Sequence, residues 1–262
     1  MISKEYIQAW KSIAPWNSDA QVEQDLIITN ALLKLYTHPS LKLSLAFRGG
    51  TALNKLFFNP PTRYSEDIDL VQTTAEPIGS TIDAIREVLD SWLGEPKRSF
   101  SDGGVTLVYR VLSDEGFPLK LKIEINSREH FSILGLQDYS FTCNSSWTSG
   151  STTIRTFKIE ELLGTKMRAL YQRRKGRDLY DLHVALSTFP NLDCKAILHC
   201  FSEYLSFGGL NISKAQFLEN MALKLKNKEF GNDIIPLLPR QNGSFDVETA
   251  YQNVRERLLE YL

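Results

Sequence analysis

The chain has 262 residues, 42% of them hydrophobic, and its 30 Lys and Arg against 31 Asp and Glu leave a formal net charge of -1. That length supports one large domain or two modest ones with real cores, and the balance of charge excludes a globally basic nucleic-acid binder, so any polyanion must be met by a local patch. Cys143, Cys194 and Cys200 show no CxxC spacing, the start MISKEYIQAWKSIAPW lacks the layout of a signal peptide, and no run reaches the ~18 apolar residues of a membrane helix. We therefore expect a soluble cytoplasmic protein with reduced thiols and no membrane partner.

Ser18 to Gln21 reads as a capping box for a helix over 19–36, which ends before His38-Pro39. A strand over 43–48 follows, then the Gly49-Gly50-Thr51 turn, a short helix over 51–58 stopped by Pro60-Pro61, and a strand over 66–72 containing Asp67-Ile68-Asp69-Leu70. Ile82, Ile85, Val88, Leu89 and Trp92 form one stripe of a helix over 80–93. Strands over 104–112 and 119–126 flank the turn Asp114-Glu115-Gly116, and the second alternates, with Leu119, Leu121, Ile123 and Ile125 on one face and Lys120, Lys122 and Glu124 on the other. The Ser-, Thr-, Asn- and Gly-rich stretch 137–153 reads as a loop or edge strand, with a domain boundary near 150. Helices are predicted over 158–174, 177–189, 193–206, 213–228 and 246–262.

The chemistry concentrates in the second strand. Side chains alternate along a strand, so Asp67 and Asp69 share a face with their Cα atoms about 6.5–7 Å apart. At 4 Å and an effective dielectric of 20 the repulsion of two carboxylates is roughly 4 kcal/mol, so a cation is expected between them. An all-oxygen site favours Mg²⁺ or Mn²⁺ over zinc. Gly49 and Gly50, at a strand-to-helix turn, offer bare backbone N–H groups to phosphate. Glu124, on the polar face of a later strand, could complete a three-carboxylate site; an exposed amphipathic strand carrying Lys120 and Lys122 would look the same.

Lys166 has Leu162, Leu163, Ala169 and Leu170 as its helical neighbours, so it either snorkels or reaches an anion, for which we expect a nucleotide phosphate. Asp178 and Asp181 lie four residues from Arg174 and Arg177, a spacing that suits local ion pairs as well as catalysis. Between Arg155 and Arg177 eight basic residues face only Glu160 and Glu161, which marks Arg168, Arg173, Arg174, Lys175 and Arg177 as a candidate RNA-phosphate footprint. The four histidines lack zinc spacing, and Ser65 has no hydrolase context.

Together these pieces resemble the polymerase-β-type nucleotidyltransferase superfamily. More narrowly, FRGGTALNKLF…RYSEDIDL, the strand KIEIN and KMRALYQRRKGRDLYDL resemble the AbiEii family of toxins from type IV toxin–antitoxin systems, a likeness running from VEQDL to DIIPLLP. The resemblance implies an α/β (α+β) chain: a nucleotidyltransferase core with a mixed sheet over 1–150, then a helical domain over 151–262 that completes an active-site cleft. It implies transfer of a nucleoside monophosphate from an NTP to an RNA acceptor, which in the family's studied members is the 3′ end of tRNA, and a protein antitoxin as partner. Gly49, Gly50 and Thr51 would then hold the triphosphate and Ser65 would line the site. Asp67 and Asp69, with Glu124, would bind Mg²⁺. Lys166 would grip the phosphates, and Asp181, with Asp178 beside it, would orient the lysine or act on the attacking hydroxyl. The superfamily's usual Gly-Ser is Gly49-Gly50 here, so a hydroxyl contact must come from Thr51. Alternatives are a small-molecule acceptor such as an aminoglycoside, or a non-catalytic nucleotide- or RNA-binding regulator.

Overall fold

The computed structural model describes residues 2–239 and 245–262. The chain divides into two compact units, Met1–Phe157 and Lys158–Leu262. The division falls after the strand that ends at Phe157, beyond the polar stretch in which the boundary was expected.

The first unit is built on α2 (Asp19–Thr37), which starts at the expected Ser18–Gln21 capping box. This helix is buried on nearly all sides, down to Glu23, Gln24, Asp25 and Asn30. A helix enclosed all round has little amphipathic contrast, because α1 (Lys4–Trp10), α3 (Pro39–Ser44), α5 (Gly79–Leu93) and the sheet all pack on it. Seven strands form a mixed sheet in the order β3-β4-β5-β2-β1-β7-β6. They are β1 (Leu45–Arg48), β2 (Asp67–Gln72), β3 (Lys97–Ser101), β4 (Gly104–Leu112), β5 (Pro118–Asn126), β6 (Leu136–Asn144) and β7 (Ser149–Phe157). At the centre, β2 runs antiparallel to β1 and parallel to β5. The buried residues of β4 and β5 are Val105, Leu107, Tyr109, Leu121, Ile123 and Ile125, so these strands turn one face to the helices and leave the other open.

Two expectations need correction, and one strand was not foreseen. Leu41 and Leu43 extend the alternation of β1 backwards, but Pro39 stands at the start of a helical turn and Leu43 is 64% exposed, so α3 replaces the first residues of the expected strand. Stretch 137–153 is neither a loop nor a single edge strand: β6 and β7 pair along their full length, burying Phe141, Cys143, Ile154 and Phe157 among polar residues that face outward. The edge strand β3, KRSFS, is exposed throughout and carries no core periodicity to reveal it.

The second unit is helical: α6 (Ile159–Gln172), α7 (Gly176–Thr188), α8 (Cys194–Phe207), α9 (Lys214–Leu225), α10 (Lys228–Asn232) and α11 (Val247–Arg257). The single helix expected over 213–228 stops at Leu225, and Asn227 caps α10 by accepting from the Glu229 N–H at 2.8 Å. Gly164 lets α6 meet α8 closely, since a Cβ there would lie 2.6 Å from that of Cys200. Among the described residues no helix is long and apolar enough to cross a membrane.

Candidate active site

β2 presents Asp67 and Asp69 on the open face of the sheet. Register sets Glu124 of β5 opposite Asp69, and Lys122 opposite Asp67. The same cross-strand row continues to Thr106 on β4 and Arg48 on β1, so Thr106, Glu124, Asp69 and Arg48 cross four strands in line. A hollow of about 200 Å³ lies along this row, lined by these four residues together with Gly104 and Asn126. Glu129, itself buried, fixes the Arg48 guanidinium at 2.6 Å.

The glycine turn presses directly on the acids. Gly49 has φ 81°, a backbone region open mainly to glycine, and the place of a Cβ there is taken by the Asp69 carboxylate. At Gly50 it is taken by the Arg63 guanidinium. The turn opens α4 (Gly49–Ala52), which passes into a π-helical turn, Leu53–Phe57. Asn54 donates to the Gly50 carbonyl at 3.0 Å and accepts from the Thr62 and Arg63 amides at 2.9 and 3.2 Å, tying the following loop to the turn. Thr51 is 1% exposed, and its hydroxyl lies 2.8 Å from Ser65 Oγ and bonds to the Asp67 carbonyl, so it faces inward and locks the turn to β2. Lys55 reaches under the turn to Asp25 (2.7 Å) and Thr29 (2.9 Å), while Trp10 and Trp16 donate to the two oxygens of the same carboxylate at 2.8 and 3.1 Å.

The electrostatics of the open face are those of crowded acids. Burial pushes the Asp67 carboxyl up to about 6; Lys122 works against this, and Asp69, Glu66 and Glu124 add to it. Lys122 Nζ lies 2.7 Å from Glu124 Oε1 and 3.9 Å from Asp67 Oδ2. This amine is the cation that keeps the face from self-repulsion. Among the described residues no three acid, His or Cys side chains converge as a ready-made metal cluster, and Glu124 of the expected ligand set stands in register with Asp69 while pairing with Lys122. Asp67 and Asp69 still suit a divalent cation. They share a face, they are only partly buried, and Asp67 resists ionising because of its burial and the acids around it.

The second unit gathers the remaining residues. Lys166, 6% exposed, lies 3.2 Å from Asp178 Oδ1 and 3.0 Å from Asp181 Oδ2, both fully buried on α7. Arg173 closes on Asp178 through two hydrogen bonds of 2.7 and 2.8 Å. Burial acts to raise the Asp178 carboxyl, yet Lys166 and Arg173 outweigh it and hold it below its ordinary value. The alternative pairing of Asp178 with Arg174 and of Asp181 with Arg177 is not the one adopted.

Several cations of the expected RNA footprint also make contacts within the fold, while Arg173 and Lys175 stay 49% and 47% exposed. Besides Arg173, Lys175 and Arg177 meet Asp233 at 3.3 and 3.9 Å, and Arg168 lies 5.0 Å over the Tyr204 ring. Arg174 stays exposed. Sequence reasoning missed Arg48, Asn54, Arg63 and the bridging role of Lys122. Of these only Lys122 left a signal, its place on the face of Glu124.

The family model described as "Nucleotidyl transferase AbiEii toxin, Type IV TA system" matches residues 31–253. No curated protein matches by sequence. Among solved structures, the nucleotidyltransferase toxin MenT4 from Mycobacterium tuberculosis superposes with a TM-score of 0.70 at 17% identity, covering 100% of this chain and 91% of its own. JHP933 from Helicobacter pylori gives 0.56 at 15% identity, covering 93% and 92%. At these identities the superpositions speak for the fold.

Proposed function

Because this chain belongs to the AbiEii family, the NTP-dependent nucleotidyltransferase toxins of type IV toxin–antitoxin systems, we propose that it transfers a nucleoside monophosphate to an RNA acceptor, the 3′ end of tRNA. The observation that carries the reading is the open face of β2: two carboxylates in line, a third in register on β5, and a glycine turn packed against Asp69.

The acceptor hydroxyl oxygen forms a bond to the α-phosphorus, the bond from that phosphorus to the bridging oxygen breaks, and pyrophosphate leaves. Mg²⁺, held by Asp67 and Asp69, would supply charge neutralisation at the reacting phosphate and ease ionisation of the hydroxyl. Glu124 takes the hydroxyl's proton; it is 44% exposed, and Lys122 fixes its orientation. Gly49 and Gly50 let the backbone approach the triphosphate, with Ser65 at the edge. Thr51 holds that turn in place from below.

Lys166 is assigned to the triphosphate. This assignment follows the family resemblance; an ammonium group has three N–H donors, and Asp178 and Asp181 engage two of them. As a family trait, the chain uses an NTP and is neutralised by an antitoxin partner. The test is to incubate the protein and Mg²⁺ with total RNA and each labelled NTP in turn. Label in RNA with one or more NTPs, absent with Asp67→Ala, is the expected result; label in no RNA with any NTP overturns the reading.

A further inference from the structure

On the open face of the sheet, the rows next to the acids are basic. Arg110 of β4 stands directly opposite Lys120 of β5, and Lys97 of β3, Val108 of β4 and Lys122 of β5 form the next row, which ends on Asp67. Lys97, Arg110 and Lys120 are exposed, and no carboxylate meets any of them among the described residues. The three strands carry a single acid, Glu124, and Lys122 already engages it. On the connections, Asp102 is taken by Arg128, and Asp114 and Glu115 sit in the turn beyond Arg110 and Lys120.

Like charges directly opposite on paired strands destabilise a sheet. The Arg110–Lys120 pair therefore works against the fold and has no internal anion to relieve it. Strands lie about 4.8 Å apart, which places Lys97 within about 14 Å of Asp67 across three steps of the sheet. A chain of phosphates laid over this face would neutralise all three cations while one end reached the acids.

We propose that Lys97, Arg110 and Lys120, on the open face of β3–β5, form the track that binds the sugar-phosphate backbone of the acceptor RNA and delivers its 3′ end to Asp67 and Asp69. The proposal rests on the RNA-transfer reading above, and it moves the RNA contact from the α6–α7 segment, where several of the cations also make contacts within the fold, to the sheet.

The test compares the full-length protein with a triple variant, Lys97→Gln/Arg110→Gln/Lys120→Gln, and with a control of equal charge change, Lys4→Gln/Lys34→Gln/Lys42→Gln, on α1, α2 and α3. Binding to bulk tRNA is measured across a salt series, beside nucleotide transfer to the same pool. With about 0.7 counterions released per contact on single strands, losing three contacts should lower the slope of log K against log salt by about 2. Affinity at 0.1 M salt should fall at least about tenfold, appearing in transfer as a raised KM for RNA with kcat largely kept, while the control binds as wild type does. The triple variant should melt no lower than wild type, since it loses a repulsion.

Tight, salt-dependent binding by the triple variant overturns the track. Wild-type binding that depends on the track, without label transfer, supports the track and defeats the transfer reading. A wild-type protein that binds no RNA overturns the track and leaves transfer to be judged by labelling alone.

Discussion

The carboxylate of Asp69 occupies the space that any side chain at position 49 would need. Gly49 and Asp69 are thus one device: the turn approaches the acid because it has no Cβ, and its φ of 81° is one that few other residues tolerate. Gly49→Ala should abolish transfer and cost about 1–3 kcal/mol, from backbone strain plus displacement of Asp69. Denaturant melts and NTP labelling would check this, and a variant of wild-type stability and activity would refute it.

Asp67 gives a prediction with a definite sign in pH. Its folded-state pKa is raised from 3.8 to about 6, so the protonated form is favoured by folding. That contribution is fully present below about pH 4 and is lost as pH rises through about 6. Asp67→Asn should therefore match wild type in stability at pH 4 and exceed it at pH 8. With 36% of the side chain exposed, solvent screening limits the gain to about 1 kcal/mol. Transfer by the wild type should climb with pH to a plateau above about 6, and the variant should show none. Urea titrations at the two pH values measure the first effect, and a pH series of labelling the second.

Lys122 neutralises its own neighbourhood. In Lys122→Ala, Asp67 and Glu124 lose the amine that stands between them, so a divalent ion should matter more to folding. Added Mg²⁺ is expected to raise the melting temperature further in the variant than in wild type. Equal shifts would show that Lys122 does not stand in for the ion.

Lys166 is bound by two fully buried carboxylates. Removing one partner of a buried ion pair typically costs about 3–5 kcal/mol, so Lys166→Ala should destabilise the protein as well as inactivate it. The double variant Lys166→Met/Asp181→Asn removes the unpaired charge and should recover most of the stability while remaining inactive. Thermal melts paired with labelling separate the two roles, and a stable, active double variant would remove Lys166 from the chemistry.

Much of this site can be read in the sequence because it lies on short-period structure. Alternation alone put Asp67 with Asp69 and Lys122 with Glu124, and the glycine pair marked the turn. What sequence could not supply was register. Nothing in KIEIN says that Glu124 falls opposite Asp69 while Lys122 falls opposite Asp67, and that one-step offset decides which acid receives the amine. Spacing alone did not give the partners of Lys166, which come from the next helix, because the i,i+4 rule pointed Asp178 and Asp181 at Arg174 and Arg177; only the family resemblance set these acids beside the lysine. Polar strands such as β3 and β6 escaped because they bury too little to impose a pattern.

Trp10 and Trp16 reach Asp25, and Asp25 reaches the Lys55 ammonium beneath the glycine turn. The indoles and the carboxylate all precede residue 31, where the match to the family model begins. A strut that begins outside the matched region thus bears on the glycine turn. Trimming the protein back to α2 would leave the oxygens of Asp25 to Lys55 alone, and a version cut at residue 31 would lose Asp25 as well, so both should fold less firmly than the 262-residue chain, the second more so.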